Sequence, residues 1–237
     1  YDIDLLERFA GHMPAIKVAS GDATHHGLIK AAVRTGKPVL VSTGFCHDDE
    51  VKSIAQIVPA HQRALLHCVA IYPLPDEQVN LMAIEEMARR YPEGVTGYSD
   101  HTIGPEACIA ATALGARIIE KHFTLDTTQV LGDHVLSLEP ESFGNMVEAI
   151  RRVAAMRGDG VKPSPGEWRL RRKFRRGIYA SRDLAPGHLI CDSDLLLIRP
   201  LSDIGAEHAE ELIGRKMVRG VMAGRPIEIA DLDHADA

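Results

Sequence analysis

No run of apolar residues in this sequence approaches the roughly 20 needed to cross a bilayer, and Tyr1-Asp2-Ile3-Asp4 does not resemble a signal peptide. No membrane partner is expected. Cysteine is sparse, with Cys46, Cys68, Cys108 and Cys191 far apart and no C-x-x-C pair. That spacing suggests neither a zinc knuckle nor a disulfide framework, and it predicts free thiols in a reducing cytoplasm. Positive charge is not in excess either: 27 Lys and Arg against 33 Asp and Glu give a formal net charge of −6. A surface seeking nucleic acid or anionic lipid is therefore not expected. Aromatics are only 5% of the chain, and the basic run Arg169 to Arg176 has only Trp168 and Phe174 beside it, so it reads as a solvated linker. What is present, 45% hydrophobic and 25% charged residues over 237 positions, suits a globular protein of one large or two smaller domains with a small-molecule partner.

From Ala15 to about Met156, short β-branched runs alternate with helical patterns. Strands are predicted at Ala15–Ser20, Pro38–Ser42, Ala64–Val69, Gly94–Ser99 and Ala116–His122, and helices around 26–35, 48–58, 80–91, 105–114 and 139–156. This rhythm is that of βαβ units on a parallel sheet. Five units are fewer than a closed eight-stranded barrel requires, so either the sheet is open or its beginning is missing. Gly, Pro and Ser at 158–165 break the pattern, and beyond Gly177 come short strand candidates, 178–181 and 195–198, punctuated by turns. The expected layout is a domain over 1–160, a linker over 161–176 and a small β-rich domain over 177–237.

Gly97-Tyr98-Ser99-Asp100-His101-Thr102 and Glu120-Lys121-His122-Phe123-Thr124 each carry a histidine at the end of a predicted strand. If both strands lie in one parallel sheet, the imidazoles emerge together at its C-terminal edge, where such sheets place their chemistry. A metal or acid/base site is the natural reading of such a pair. Ser99-Asp100-His101 is not a nucleophilic triad, because adjacent strand side chains point to opposite faces. Lys17 sits inside an apolar strand, where a charge is costly unless it meets an anion. His25-His26 reads as a helix start.

The ordered set IKVASGD, VSTGF, LLHCVAIYPLP, GYSDHT, EKHFTLD, LGDH and KPSPGE resembles the sialic acid synthase family, which includes the N-acetylneuraminate, legionaminate and pseudaminate synthases. The stretch from about Phe174 is similar to the antifreeze-like (SAF) domain of that family. The resemblance implies an α/β fold, a (β/α)8 TIM barrel represented here by its last five strand–helix units and followed by the SAF domain. It also implies an enzyme, a transferase of the N-acetylneuraminate synthase type, that condenses phosphoenolpyruvate with an acylated amino-sugar aldehyde such as N-acetylmannosamine. Phosphate and a nonulosonic acid are the products. The alternatives are a legionaminate or pseudaminate synthase, or a truncated non-catalytic binding or assembly protein.

The same resemblance assigns roles. His101 and His122 match metal ligands, with Mn²⁺ favoured and Mg²⁺ admitted. Lys17 matches a contact to phosphoenolpyruvate, and Ser20, Ser42 and Ser99 offer hydroxyls to its carboxylate or phosphate. Asp133, Tyr72 and Asp22 match sugar-side positions, while Ala70 stands where Asn or Ser is usual. Arg199, in Ile198-Arg199-Pro200, matches an arginine that the SAF domain of one subunit lends to its neighbour's active site, which implies a domain-swapped homodimer.

Overall fold

A computed structural model describes residues 2–130 and 132–233 of the chain. Leu131, the first residue of the Leu131-Gly132-Asp133-His134 motif, and residues 234–237 of the expected SAF stretch lie outside the described residues. The chain divides into two compact units, the first ending at Asp159 and the second beginning at Gly160.

In the first unit, β1 (Ile16–Val18), β2 (Val39–Ser42), β3 (Arg63–Cys68), β4 (Val95–Asp100) and β5 (Ile118–Lys121) form one parallel sheet in the order β1-β2-β3-β4-β5. Each strand lies beside its predecessor with no reversal of order. This is the winding of a barrel segment, and it differs from a doubly wound sheet, which has a switch point. Helix α1 (Ile3–Phe9) precedes β1, and α2 (His26–Arg34), α3 (Asp48–Ile57), α4 (Met82–Arg90), α5 (Glu106–Ala113) and α6 (Pro140–Met156) follow the five strands in turn. Among the described residues no helix is long and apolar enough to cross a membrane.

Local chemistry sets the boundaries. His25 Nδ1 accepts the Leu28 amide at 3.2 Å and caps α2, which then buries Leu28, Ile29, Ala31 and Ala32 at the one-sided spacing of an amphipathic helix. At α3 the His47 amide donates to Glu50 at 2.7 Å, satisfying one of the orphan groups of a helix start. Every residue of β3 is buried, as expected of a central parallel strand covered on both faces. In β4, Gly97 lets its neighbours close in, because a Cβ there would lie 2.8 Å from the Ile118 carbonyl oxygen and 3.0 Å from the Leu66 side chain.

The second unit holds α7 (Pro165–Phe174) and an antiparallel pair, β6 (Gly177–Ala180) with β7 (Leu195–Ile198), over a core that includes Ile178, Leu184, Ile190, Met217 and Ile227. Where composition predicts a linker, residues 165–174 are therefore helical. Ser164 Oγ accepts the Glu167 amide, the Glu167 carboxylate accepts the Ser164 amide, and Pro165 opens the helix, a full capping box. Asp194 is wholly buried and accepts hydrogen bonds from His188 Nε2 (2.6 Å), Arg182 Nε (2.7 Å) and the Cys191 amide (3.0 Å). Burial works to raise its pKa, but these bonds outweigh burial and hold the carboxyl well below the usual range.

Candidate active site

The C-terminal ends of the five strands surround a cleft of about 330 Å³ lined by Lys17, Ser20, Ser42, Tyr72, Ser99, His101, Glu120 and His122, among others. Strand alternation selects these residues. Ser99 and Glu120 are register partners, as are Asp100 and Lys121, so consecutive residues in β4 and β5 face alternately into the cleft and into the helix layer. His101 and His122 directly follow the two strands on the cleft side, with ring centroids 5.2 Å apart. Tyr72 closes over them, its ring centroid 4.0 Å from that of His101 and 5.9 Å from that of His122.

His101 Nδ1 lies 3.0 Å from the Val69 carbonyl oxygen. A carbonyl only accepts, so Nδ1 carries the proton and Nε2 keeps its lone pair. Burial holds this imidazole below its ordinary pKa, and His122 adds to the effect, which favours the neutral form a metal ligand needs. The Asp133 carboxylate stands 3.7 Å from His122 Nδ1, beyond direct hydrogen-bond reach. Among the described residues no group of three or more His, Cys, Asp or Glu side chains is placed to hold a metal alone. Two imidazoles supply only part of a cation's shell.

A second cluster lines the same cleft. Lys17 Nζ is 3.5 Å from Glu120 Oε2 and donates to the Val18 carbonyl at 3.1 Å, while Ser42 Oγ donates to the same Glu120 oxygen at 3.4 Å. Ser20 Oγ accepts the Gly44 amide at 3.0 Å and donates to Cys68 Sγ at 3.4 Å. Lys17 and the hydroxyls of Ser20, Ser42 and Ser99 thus line the cleft together with the Glu120 carboxylate. Tyr72 is kept as a neutral phenol donor, since burial chiefly, then Cys68, Asp133 and Glu120, push its pKa up.

Neither Asp22 nor Asp133 is among the residues lining the cleft; Asp22 ends a single 3-10 turn, Ser20–Asp22, after β1, and Asp133 stands beside His122. Arg199 belongs to the second unit, where its guanidinium lies 5.8 Å from the centre of the Phe174 ring. The rejected triad does come apart as alternation requires: Asp100 faces the helix layer, where it pairs with Lys121 at 2.7 Å. Sequence reasoning overlooked Glu120. Its signal was the two-residue spacing from His122, which puts both on the cleft side of the chain.

The geometry agrees with what this chain is similar to. Residues 1–162 match the NeuB family and residues 175–233 match the SAF domain. The N,N'-diacetyllegionaminic acid synthase of Legionella pneumophila is 35% identical over 88% of this chain and 61% of its own length. The pseudaminic acid synthase of Campylobacter jejuni is 31% identical over 97% of this chain and 67% of its own. Among solved structures, the N-acetylneuraminic acid synthetase of Leptospira borgpetersenii, in complex with citrate, superposes with a TM-score of 0.67 at 33% identity, covering 71% of this chain and 60% of that one. The chain thus spans about three fifths of the Legionella relative. Its first unit is five consecutive parallel strands of a barrel, its second carries a SAF domain, and the chain belongs to the NeuB family.

Proposed function

We propose that this cleft is part of the active site of a nonulosonic acid synthase, which joins phosphoenolpyruvate to the open-chain aldehyde of an acylated amino sugar. One observation carries the reading. A single cleft holds both a hydroxyl-rich half, where Lys17 pairs with Glu120 beside Ser20, Ser42 and Ser99, and a paired-imidazole half, His101 and His122 beneath Tyr72. The first half suits a carboxylate and a phosphate, and the second suits a carbonyl oxygen.

In this reading C3 of phosphoenolpyruvate attacks the aldehyde carbon, and the aldehyde oxygen becomes a hydroxyl. Water adds at C2, a proton leaves, and the tetrahedral centre collapses by cleavage of the C2–O bond to release inorganic phosphate. Lys17 and the serines hold the anionic groups in place, and Tyr72 and Asp133 orient the sugar. His101 and His122 would hold the divalent cation, Mn²⁺ or Mg²⁺, which supplies Lewis-acid polarisation of a carbonyl oxygen. Lys17 acts as an anion holder and not as a Schiff-base nucleophile, since its close neighbour Glu120 is an anion, the reverse of the surroundings that activate a lysine amine.

Arg199 enters this scheme from the SAF domain of a second subunit in a domain-swapped homodimer, contacting the acyl-amino group. The four free cysteines support a cytoplasmic setting. N-acetylmannosamine is the first substrate to test, with the acylated hexosamines of legionaminate and pseudaminate synthesis as the alternatives. The test is phosphate release from phosphoenolpyruvate with these sugars and Mn²⁺, using the full chain. Sugar-dependent release supports the reading, and no turnover with any acylated hexosamine contradicts it.

A further inference from the structure

We infer that the buried Asp100–Lys121 ion pair is a positioning device that sets the spacing of His101 and His122; this rests on the reading of those histidines as holders of a divalent cation. Asp100 immediately precedes one histidine and Lys121 the other. They are also the last register pair of the β4–β5 ladder. Beyond that point the backbones part company: the His101 carbonyl accepts the Leu74 amide at 2.9 Å and the His122 carbonyl accepts the Leu138 amide at 2.9 Å. The Asp100–Lys121 pair is therefore a cross-strand tie at the point where the two imidazoles begin.

The tie reaches past the histidine on one side. Thr102 donates its amide to Asp100 Oδ1 (3.0 Å) and its hydroxyl to Oδ2 (3.1 Å), and its carbonyl accepts Lys121 Nζ. Both chain neighbours of His101 are thus fixed to the residue preceding His122. Tyr98 OH also donates to Asp100 Oδ1 at 2.7 Å, so the carboxylate is held against rotation. Stability alone does not explain this arrangement. Both charged side chains are fully buried, and a buried ion pair is often matched or exceeded by apolar residues of similar volume because of its desolvation cost. What an apolar pair cannot supply is a directional bond across the strand ends. The pair also carries no net charge, so removing both partners alters spacing with little change in the field at the imidazoles.

The test is the full chain carrying Asp100→Leu with Lys121→Met, compared with wild type by Mn²⁺ titration, by the visible absorption of bound Co²⁺, and by thermal unfolding. The expected result is cooperative unfolding with Mn²⁺ bound about 10- to 100-fold more weakly and an altered Co²⁺ band. Wild-type affinity and an unchanged band in the folded double variant overturn the inference. Asp100→Asn, nearly isosteric, serves if the double variant does not fold, and its Mn²⁺ affinity is expected to fall in the same direction; unchanged affinity there overturns the inference too. His101→Ala separates the two levels. If it leaves wild-type Mn²⁺ binding unaltered, the metal reading itself fails and the positioning role falls with it.

Discussion

Lys17 Nζ on β1 and Glu120 Oε2 on β5 lie 3.5 Å apart, although β1 and β5 are the two outer strands of the sheet. Four inter-strand steps of about 4.8 Å would separate these strands by about 19 Å in a flat sheet. Side chains standing perpendicular to such a sheet could not meet. The ion pair therefore requires the sheet to be strongly curved, with Lys17, Ser42 and Glu120 on its concave face, as in the wall of a barrel.

Lys17→Met removes the cation from the anion-holding half of the cleft. A charge-assisted hydrogen bond is worth about 1.5–3 kcal/mol, so kcat/KM for phosphoenolpyruvate should fall about 10- to 150-fold. Lys17 is one third exposed in its side chain, so the unfolding temperature should change little. Steady-state kinetics at varied phosphoenolpyruvate checks this, and an unchanged KM and kcat would remove Lys17 from the site.

Gly97→Val tests the packing beneath the cleft. Its Cβ would meet a backbone carbonyl at 2.8 Å, which no rotamer change relieves, so overpacking should cost about 1–3 kcal/mol or more. Denaturant unfolding measures it. A neutral result would mean that β4 and β5 do not approach as closely as described.

Asp194 gives the second unit an acid limb. Its folded pKa is depressed, so its contribution to stability is fully present above the unfolded aspartate value of about 3.9 and is lost as pH falls from there toward the folded value. Thermal unfolding of wild type should therefore lose stability on acidification below about pH 4. Asp194→Asn should be less stable at neutral pH and should lose less on acidification. Parallel pH profiles for the two proteins would contradict the assignment.

Much of the first unit was legible because its signals are local. The five strands stand within a few residues of their apolar runs, and the helix start at His25 is a cap made within three residues. The histidine pair was legible for the same reason: each ends a strand, and strand ends in a parallel sheet gather at one edge. Glu120 was less legible because it meets Lys17 only through the curvature of the sheet. The Asp100–Lys121 pair is different in kind, since its partners lie 21 residues apart and meet only through sheet register. The helix at 165–174 was masked by its charges, although Ser164, Pro165 and Glu167 spell its start. Asp22 and Asp133 are motif positions that stand outside the cleft lining itself.

The central claim is the condensation itself, and the fate of the oxygen bridging C2 and phosphorus tests it most directly. The full chain would be supplied with phosphoenolpyruvate carrying ¹⁸O at that bridge, N-acetylmannosamine or a related acylated hexosamine, and Mn²⁺, and both products would be weighed by mass spectrometry. The account predicts a nonulosonic acid without the label and inorganic phosphate that carries it. Label retained in the sugar acid, or phosphate released without any sugar acid, would contradict it.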